Sequence, residues 1–215
     1  MTQTPKPKRT YTSTRRRTQA KQTRRLILSA ARKLFDERGY NNATIDAIAQ
    51  EAGVAPETIY AGFGSKQGVL RSLVQISLVG DDVPVPLMER PFIKDAVQET
   101  DQRHLISKFA NDMYQIMTRM SPIFALLRAT AKTDPEIEAM LKKMLDDRLA
   151  GMAYFVDQLR RIGPLNDQIL PEQAKVSVWA ISSAEVFDLL TKDLGWTEAE
   201  YVTWLSSSLE RLLLS

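Results

Sequence analysis

The chain has 215 residues, 44% of them hydrophobic, with no cysteine and a single histidine. That composition allows one large or two small domains with real cores, excludes disulfide and thiolate chemistry, and leaves the usual nucleophile and general-base sets too thin for an enzyme. The net charge of +3 is unevenly spread: residues 1–40 carry twelve Lys or Arg against Asp36 and Glu37, a net +10, while the other 175 residues sum to −7. A basic segment on a mildly acidic body is the electrostatic footprint of a polyanion binder. No run approaches the ~18 apolar residues of a membrane span, and the N-terminus lacks the apolar stretch of a signal peptide. A soluble cytoplasmic chain with no membrane partner, no metal and no cofactor is expected.

Residues 1–19 are rich in Thr, Pro, Lys and Arg and read as a disordered basic arm. Arg15, Arg16 and Arg17 are its candidate polyanion contacts; a solvated tail is the alternative. A first helix is expected over about 20–38, with Ile27, Ala30, Ala31, Leu34 and Phe35 inward.

Residues 44–66 are the most informative stretch. Thr44 suits an N-cap, and Asp46 sits in the first turn, where a negative charge meets the positive helix end. Ile45, Ile48, Ala49 and Ala52 give one apolar face. Gly53 can take the left-handed conformation that ends a helix, and Pro56 suits the first position of the next one. Ile59 and Phe63 point back to the core, leaving Glu57, Thr58 and Ala61 outward. Two short helices joined by a three-residue turn make a helix-turn-helix, the layout that sets a helix in a DNA major groove. Gly62-x-Gly64-x-x-x-Gly68 fits neither the dinucleotide nor the Walker phosphate pattern.

Residues 24–70 resemble the N-terminal DNA-binding domain of TetR-family transcriptional regulators. The resemblance rests on Ala30-Ala31-x-x-Leu34-Phe35-x-x-x-Gly39-Tyr40, on Thr44-Ile45, and on Ile48-Ala49-x-x-Ala52-Gly53-Val54. It continues through Thr58-Ile59-Tyr60-x-x-Phe63 and Ser65-Lys66-x-x-x-Leu70. Ala55 departs from the frequent Ser, Ala61 and Gly62 from a His or aromatic pair, and Gln67 from an acidic residue. The resemblance implies that Thr44, Tyr60 and Lys66 contact phosphates, and that Ala55, Pro56, Glu57 and Thr58 lie where base edges are reached. With few side chains there, specificity also falls to the basic arm and to DNA shape.

Beyond the motif the pattern stays helical. A fourth helix starts near Ser65, and Gly80, Pro84, Pro86 and Pro91 mark a break at 80–91. Helices follow near 92–99, 102–119, 122–132, 135–162, 172–193 and 197–213. The fold class is all-α: a basic arm (1–19), a DNA-binding domain (20–66) and a larger helical domain for effector binding and dimerisation (67–215).

In the larger domain, His104, Phe109, Met113, Met117, Phe124, Arg128, Met144, Tyr154 and Trp179 are candidates for an effector cavity, since Met and aromatic side chains suit adaptable pockets. Ordinary core is the simpler reading of each. Arg128 has either an anionic effector or an internal partner, Asp112 or Glu185, and buried charges generally find protein partners. The last two helices are apolar on more than one side and need more than one partner. The resemblance implies a homodimeric bundle, with Ser182, Val186, Leu189, Val202, Leu205, Leu209 and Leu212 as interface candidates. The resulting expectation is a repressor that binds a double-stranded DNA operator and leaves it when a small-molecule effector binds. The alternatives are an effector-independent regulator or activator, and a small-molecule-binding helical protein that does not use DNA.

Overall fold

The computed structural model describes residues 11–80 and 97–214, and no strand occurs among them. The break expected at 80–91, apart from Gly80, the start of the helix expected at 92–99, and the first ten residues of the basic arm lie outside the described residues. The described chain forms two compact units that divide between Leu73 and Val74, seven residues later than the sequence boundary.

The first unit begins with α1 (Tyr11–Asn42), whose helical conformation is interrupted at Gly39 (φ 72, ψ 166). The interruption falls where the sequence ended its first helix. The start does not: the segment read as a disordered arm up to residue 19 is helical from Tyr11 onward. Between Pro7 and Gly39 there is neither Pro nor Gly, and Arg, Lys, Gln and Ala all propagate a helix well. A helix anchored by Ile27, Ala31, Leu34 and Phe35, each nearly inaccessible, therefore extends backward at little cost.

Then come α2 (Ile45–Ala52), α3 (Pro56–Phe63) and α4 (Lys66–Val79). Thr44 takes an extended backbone, and its Oγ1 accepts from the Ala47 N–H at 3.1 Å, one of the orphan donors a helix start must satisfy. Gly53 is left-handed (φ 66, ψ 37). Its N–H reaches the Gln50 carbonyl while the Val54 N–H reaches Ala49, a double closure that ends α2 in one residue. Ser65 caps α4 by accepting from the Gly68 N–H. A Cβ on Gly68 would sit 1.9 Å from the Phe63 carbonyl oxygen, so the α3–α4 turn is closed by the absence of a side chain.

The second unit contains α5 (Gln102–Thr130), α6 (Pro135–Ile162), α7 (Pro171–Ile181), α8 (Ala184–Asp188) with a π turn over Leu189–Asp193, and α9 (Glu198–Leu213). Asp101 and Asp134 cap α5 and α6, each accepting from two backbone N–H groups. Thr197 and Glu200 exchange bonds in a capping box at α9. Two helix boundaries differ from the sequence reading. α5 runs through Pro122 without a break, because Met117, Met120, Ile123, Phe124 and Leu127 are all buried and that packing outweighs one missing hydrogen bond. Conversely, the helix expected over 172–193 breaks at Ser182–Ser183. The Ser182 hydroxyl donates to the Val178 carbonyl at 2.7 Å, and Ser183 Oγ accepts from the Val186 N–H. These short side chains offer the backbone an alternative to the regular ladder.

The core of this unit is layered by α9. Tyr201, Leu205, Leu209 and Leu213 are all fully buried and pack against α5. Tyr201 meets Phe187 and Tyr114 at ring separations of 5.1 and 5.8 Å. Phe109 stacks on Phe155 at 4.1 Å, joining α5 to α6. This corrects part of the expected dimer face: Ser182, Leu205 and Leu209 have no accessible surface and cannot meet a second subunit. The Leu205/Leu209 stripe was a true apolar face, but the protomer's own α5 covers it. Leu189 is 52% exposed, and Val186, Val202 and Leu212 remain partly accessible.

Candidate functional site

Within the first unit, α3 presents a surface and α2 supports it. Ile59 is fully buried and fixes the rotation of α3, so Glu57, Thr58, Tyr60, Ala61 and Gly62 face outward, with Tyr60 54% exposed. Ala55 is the N-cap of α3 in an extended conformation and makes no side-chain cap bond; Pro56 fills N1. The outward face therefore offers one carboxylate, one hydroxyl and one phenol, flanked by small residues that let a flat partner approach closely. Thr44 caps α2 as an acceptor, which leaves its hydroxyl proton directed elsewhere. Arg15, Arg16 and Arg17 are exposed on α1. Because this segment is helical, three consecutive arginines cannot share one face.

Lys66 takes a role the sequence did not assign. Its ammonium donates to the carbonyls of Tyr40 at 2.8 Å and Asn41 at 3.4 Å, and lies 4.3 Å from the Tyr40 ring centroid. It thus satisfies carbonyls at the end of α1, where cations are favoured, and locks α4 to α1. Arg24 is also engaged, over the Phe63 ring at 4.5 Å and donating to Ser72 Oγ at 2.8 Å. Lys33 pairs with Glu51 at 2.7 Å. Arg24 and Lys33 thus brace the unit, while Arg15, Arg16 and Arg17 stay exposed near the start of α1.

Within the second unit, a cavity of about 260 Å³ is lined by Phe124, Arg128, Leu145, Arg148, Trp179, Ala180, Ser183, Ala184 and Glu185. Phe124, Arg128 and Trp179 were expected from sequence; the other candidates lie elsewhere. His104 is on the surface, its Nδ1 3.0 Å from Glu99 Oε2. Phe109 stacks against Phe155, Met113 and Met117 are buried in α5, and Met144 and Tyr154 are partly buried on α6, none of them lining the cavity. Arg128 pairs with Glu185 at 2.5 Å, one of the two internal partners expected, although both side chains are substantially exposed.

Arg148 was missed. Its Nη2 donates to Ser182 Oγ at 2.8 Å, and its guanidinium carbon lies 5.3 Å from the Trp179 ring centroid. Its Nε is buried and has no hydrogen-bond partner. Burial pushes its pKa down to about 10, against the opposing pull of Glu185. A signal was available: Met144, Arg148 and Met152 recur every four residues, so Arg148 stands on an otherwise apolar stripe of α6, where a cation needs a reason. The helix break at Ser182–Ser183, also unread from sequence, supplies both Ser182 as its partner and Ser183 as a lining residue.

Comparisons with known proteins converge on one family. The profile of the tetR family of bacterial regulatory proteins matches residues 27–73, the stretch from mid-α1 into α4. The chain is 24% identical over 183 residues to the HTH-type transcriptional regulator UidR of Escherichia coli K12, covering 85% of each protein. Among solved structures, it is similar to the fatty acid degradation regulator FadR from Bacillus halodurans (TM-score 0.69, 20% identity, 87% of this chain and 94% of that one). It also superposes on the protein of a SmeT–triclosan complex (TM-score 0.67, 17% identity, 90% of this chain and 92% of that one). At those identities the structural likeness establishes the fold. No helix among the described residues is long and apolar enough to cross a membrane.

Proposed function

We propose that the chain is a helix-turn-helix transcriptional regulator of the TetR type, a homodimeric cytoplasmic repressor that leaves its operator when a small molecule fills the cavity lined by Arg128, Arg148 and Trp179. The observation that carries the DNA half of this reading is the outward face of α3, with Glu57, Thr58 and Tyr60 exposed while Ile59 is locked inside. Glu57 and Thr58 have the chemistry to read base edges, Glu57 as an acceptor from cytosine N4. Tyr60 and Thr44 have hydroxyls suited to phosphates. The exposed arginines at 15–17 supply sequence-independent attraction.

Dimerisation puts two α3 helices about one DNA turn apart, roughly 34–36 Å. In place of the buried residues set aside above, the surface we assign to the partner is built from Val176 and Leu189, both about half exposed, with Val186, Val202 and Leu212. The effector half is supported by the cavity's position wholly inside the second unit. The likeness to the protein of a SmeT–triclosan complex also supports it. A ligand favours release only if it binds one conformation better than the other, and DNA and ligand then weaken each other by the same factor.

The test is capture of genomic fragments by the purified chain, followed by binding measurements across a salt series. The expected result is one enriched sequence with two half-sites, protein bound as a dimer, and a log–log salt slope that falls by roughly one unit for each of Arg15, Arg16 and Arg17 that meets a phosphate when changed to Ala. Tyr60→Ala is expected to weaken all operator variants alike. Capture without sequence preference overturns the operator reading.

A further inference from the structure

We propose that the cavity of the second unit is an anion site, taking a small organic monoanion, a carboxylate on a flat apolar body, through the guanidiniums of Arg148 and Arg128. This rests on the reading of that cavity as the effector site and names the chemical class it would accept.

Three charged groups line the cavity, Arg128, Arg148 and Glu185, and together they carry one positive charge. One carboxylate neutralises the wall; a neutral ligand leaves the excess in place, and a dianion reverses it. The two arginines differ. Arg128 already has a carboxylate, Glu185 at 2.5 Å, and both are substantially exposed. Arg148 feels Glu185 at longer range, but among the described residues it donates to the Ser182 hydroxyl, lies over the face of Trp179 and keeps a buried Nε–H without a hydrogen-bond partner. An unmade bond on a buried, charged donor is costly, more so than for a neutral group. The Nε tine itself has no accessible surface, so a ligand meets the remainder of the guanidinium where Arg148 lines the cavity, and planar carboxylates suit a guanidinium fork.

The rest of the wall describes the body of the ligand. Phe124, Leu145, Trp179 and Ala184 are apolar or aromatic. The volume, about 260 Å³, exceeds the ~150 Å³ that accommodates a benzene ring in an apolar protein cavity, leaving room for one ring and a carboxylate. Glu185 then acts as an internal competitor: it occupies Arg128 until a ligand carboxylate replaces it.

The experiment is calorimetric titration of the full-length chain with benzoate, 2-naphthoate, and the neutral amide of each. The expected result is binding of a carboxylate at least about tenfold tighter than of its amide, as the loss of one charge-assisted bond predicts. Arg148→Gln should remove that preference, Arg148→Lys should keep part of it, and Glu185→Gln should tighten carboxylate binding severalfold by releasing Arg128. Melting of each variant without ligand identifies any that fails to fold; Glu185→Gln, a change at an exposed site, keeps the proposal testable if Arg148 variants do not fold. Equal binding of acid and amide, binding of neither acid, or no effect of Arg148→Gln and Glu185→Gln overturns the anion site. A second readout separates this from the effector reading. Carboxylate binding that leaves operator affinity unchanged refutes the effector role and keeps the anion site. Operator release by a neutral ligand in this cavity does the reverse.

Discussion

The two units solve their packing by opposite means. In the first, helices of eight residues are set by local signals: Thr44 starts α2, Gly53 stops it, Pro56 starts α3, and Gly68 lets the next turn close. In the second, helices still start at caps such as Asp101 and Asp134, but along their length packing overrides local signals. α5 continues through Pro122, and the stretch 172–193, which holds neither Pro nor Gly, breaks at Ser182–Ser183. The shorter an element, the more its ends decide it. The longer it is, the more its partners do.

That contrast can be tested by substitution. The largest effect is expected for Leu209→Ala, a fully buried side chain in the second unit. It should lose about 3–4 kcal/mol in denaturant unfolding, with hydrogen-exchange protection falling in α5 and α9 and not in α2. Gly68→Ala should lose about 3 kcal/mol in the first unit alone, since its Cβ meets backbone rather than a movable side chain. Wild-type exchange in α2 and α3 of that variant would break the claim that the turn is closed by a missing side chain. Thr44→Ala should lose about 1 kcal/mol, with faster exchange first at the Ala47 amide, which the Thr44 hydroxyl oxygen now holds.

The smallest effect at neutral pH is expected for Tyr201→Phe, whose hydroxyl is buried without a partner. Burial pushes the Tyr201 pKa up to about 12, against a lowering pull from Arg148. A raised pKa favours the neutral form in the folded state. The folded chain therefore keeps its stability below the ordinary tyrosine value of 10 and loses it as pH rises from 10 to 12. The phenylalanine variant should be at least as stable as the parent at pH 7 and exceed it by a wider margin at pH 11. A parallel decline in both would remove Tyr201 from the account.

The same contrast explains what the sequence made legible. The first unit's motif, its caps and its inward face at Ile48, Ala49 and Ile59 were readable, because each depends on neighbours within a few positions. Lys66 was read as reaching outward. Its engagement with the carbonyls of Tyr40 and Asn41, 26 and 25 residues away, is set by tertiary approach. Leu205 and Leu209 were correctly read as apolar, but periodicity gives a face without naming which surface covers it. Arg148 was overlooked because its partners, Trp179 and Ser182, lie more than thirty residues on and meet it only where a helix breaks.

All three tryptophans of the chain, Trp179, Trp196 and Trp204, belong to the second unit. Intrinsic emission excited at the red edge therefore reports on that unit alone, with the DNA-reading half optically silent. Trp196 and Trp204 lie 6.0 Å apart, whereas Trp179 sits by itself under the Arg148 guanidinium. Replacing the neighbouring pair with phenylalanine would leave a single indole whose colour follows the charge beside it. The molecule thus carries a label-free gauge of its own cavity.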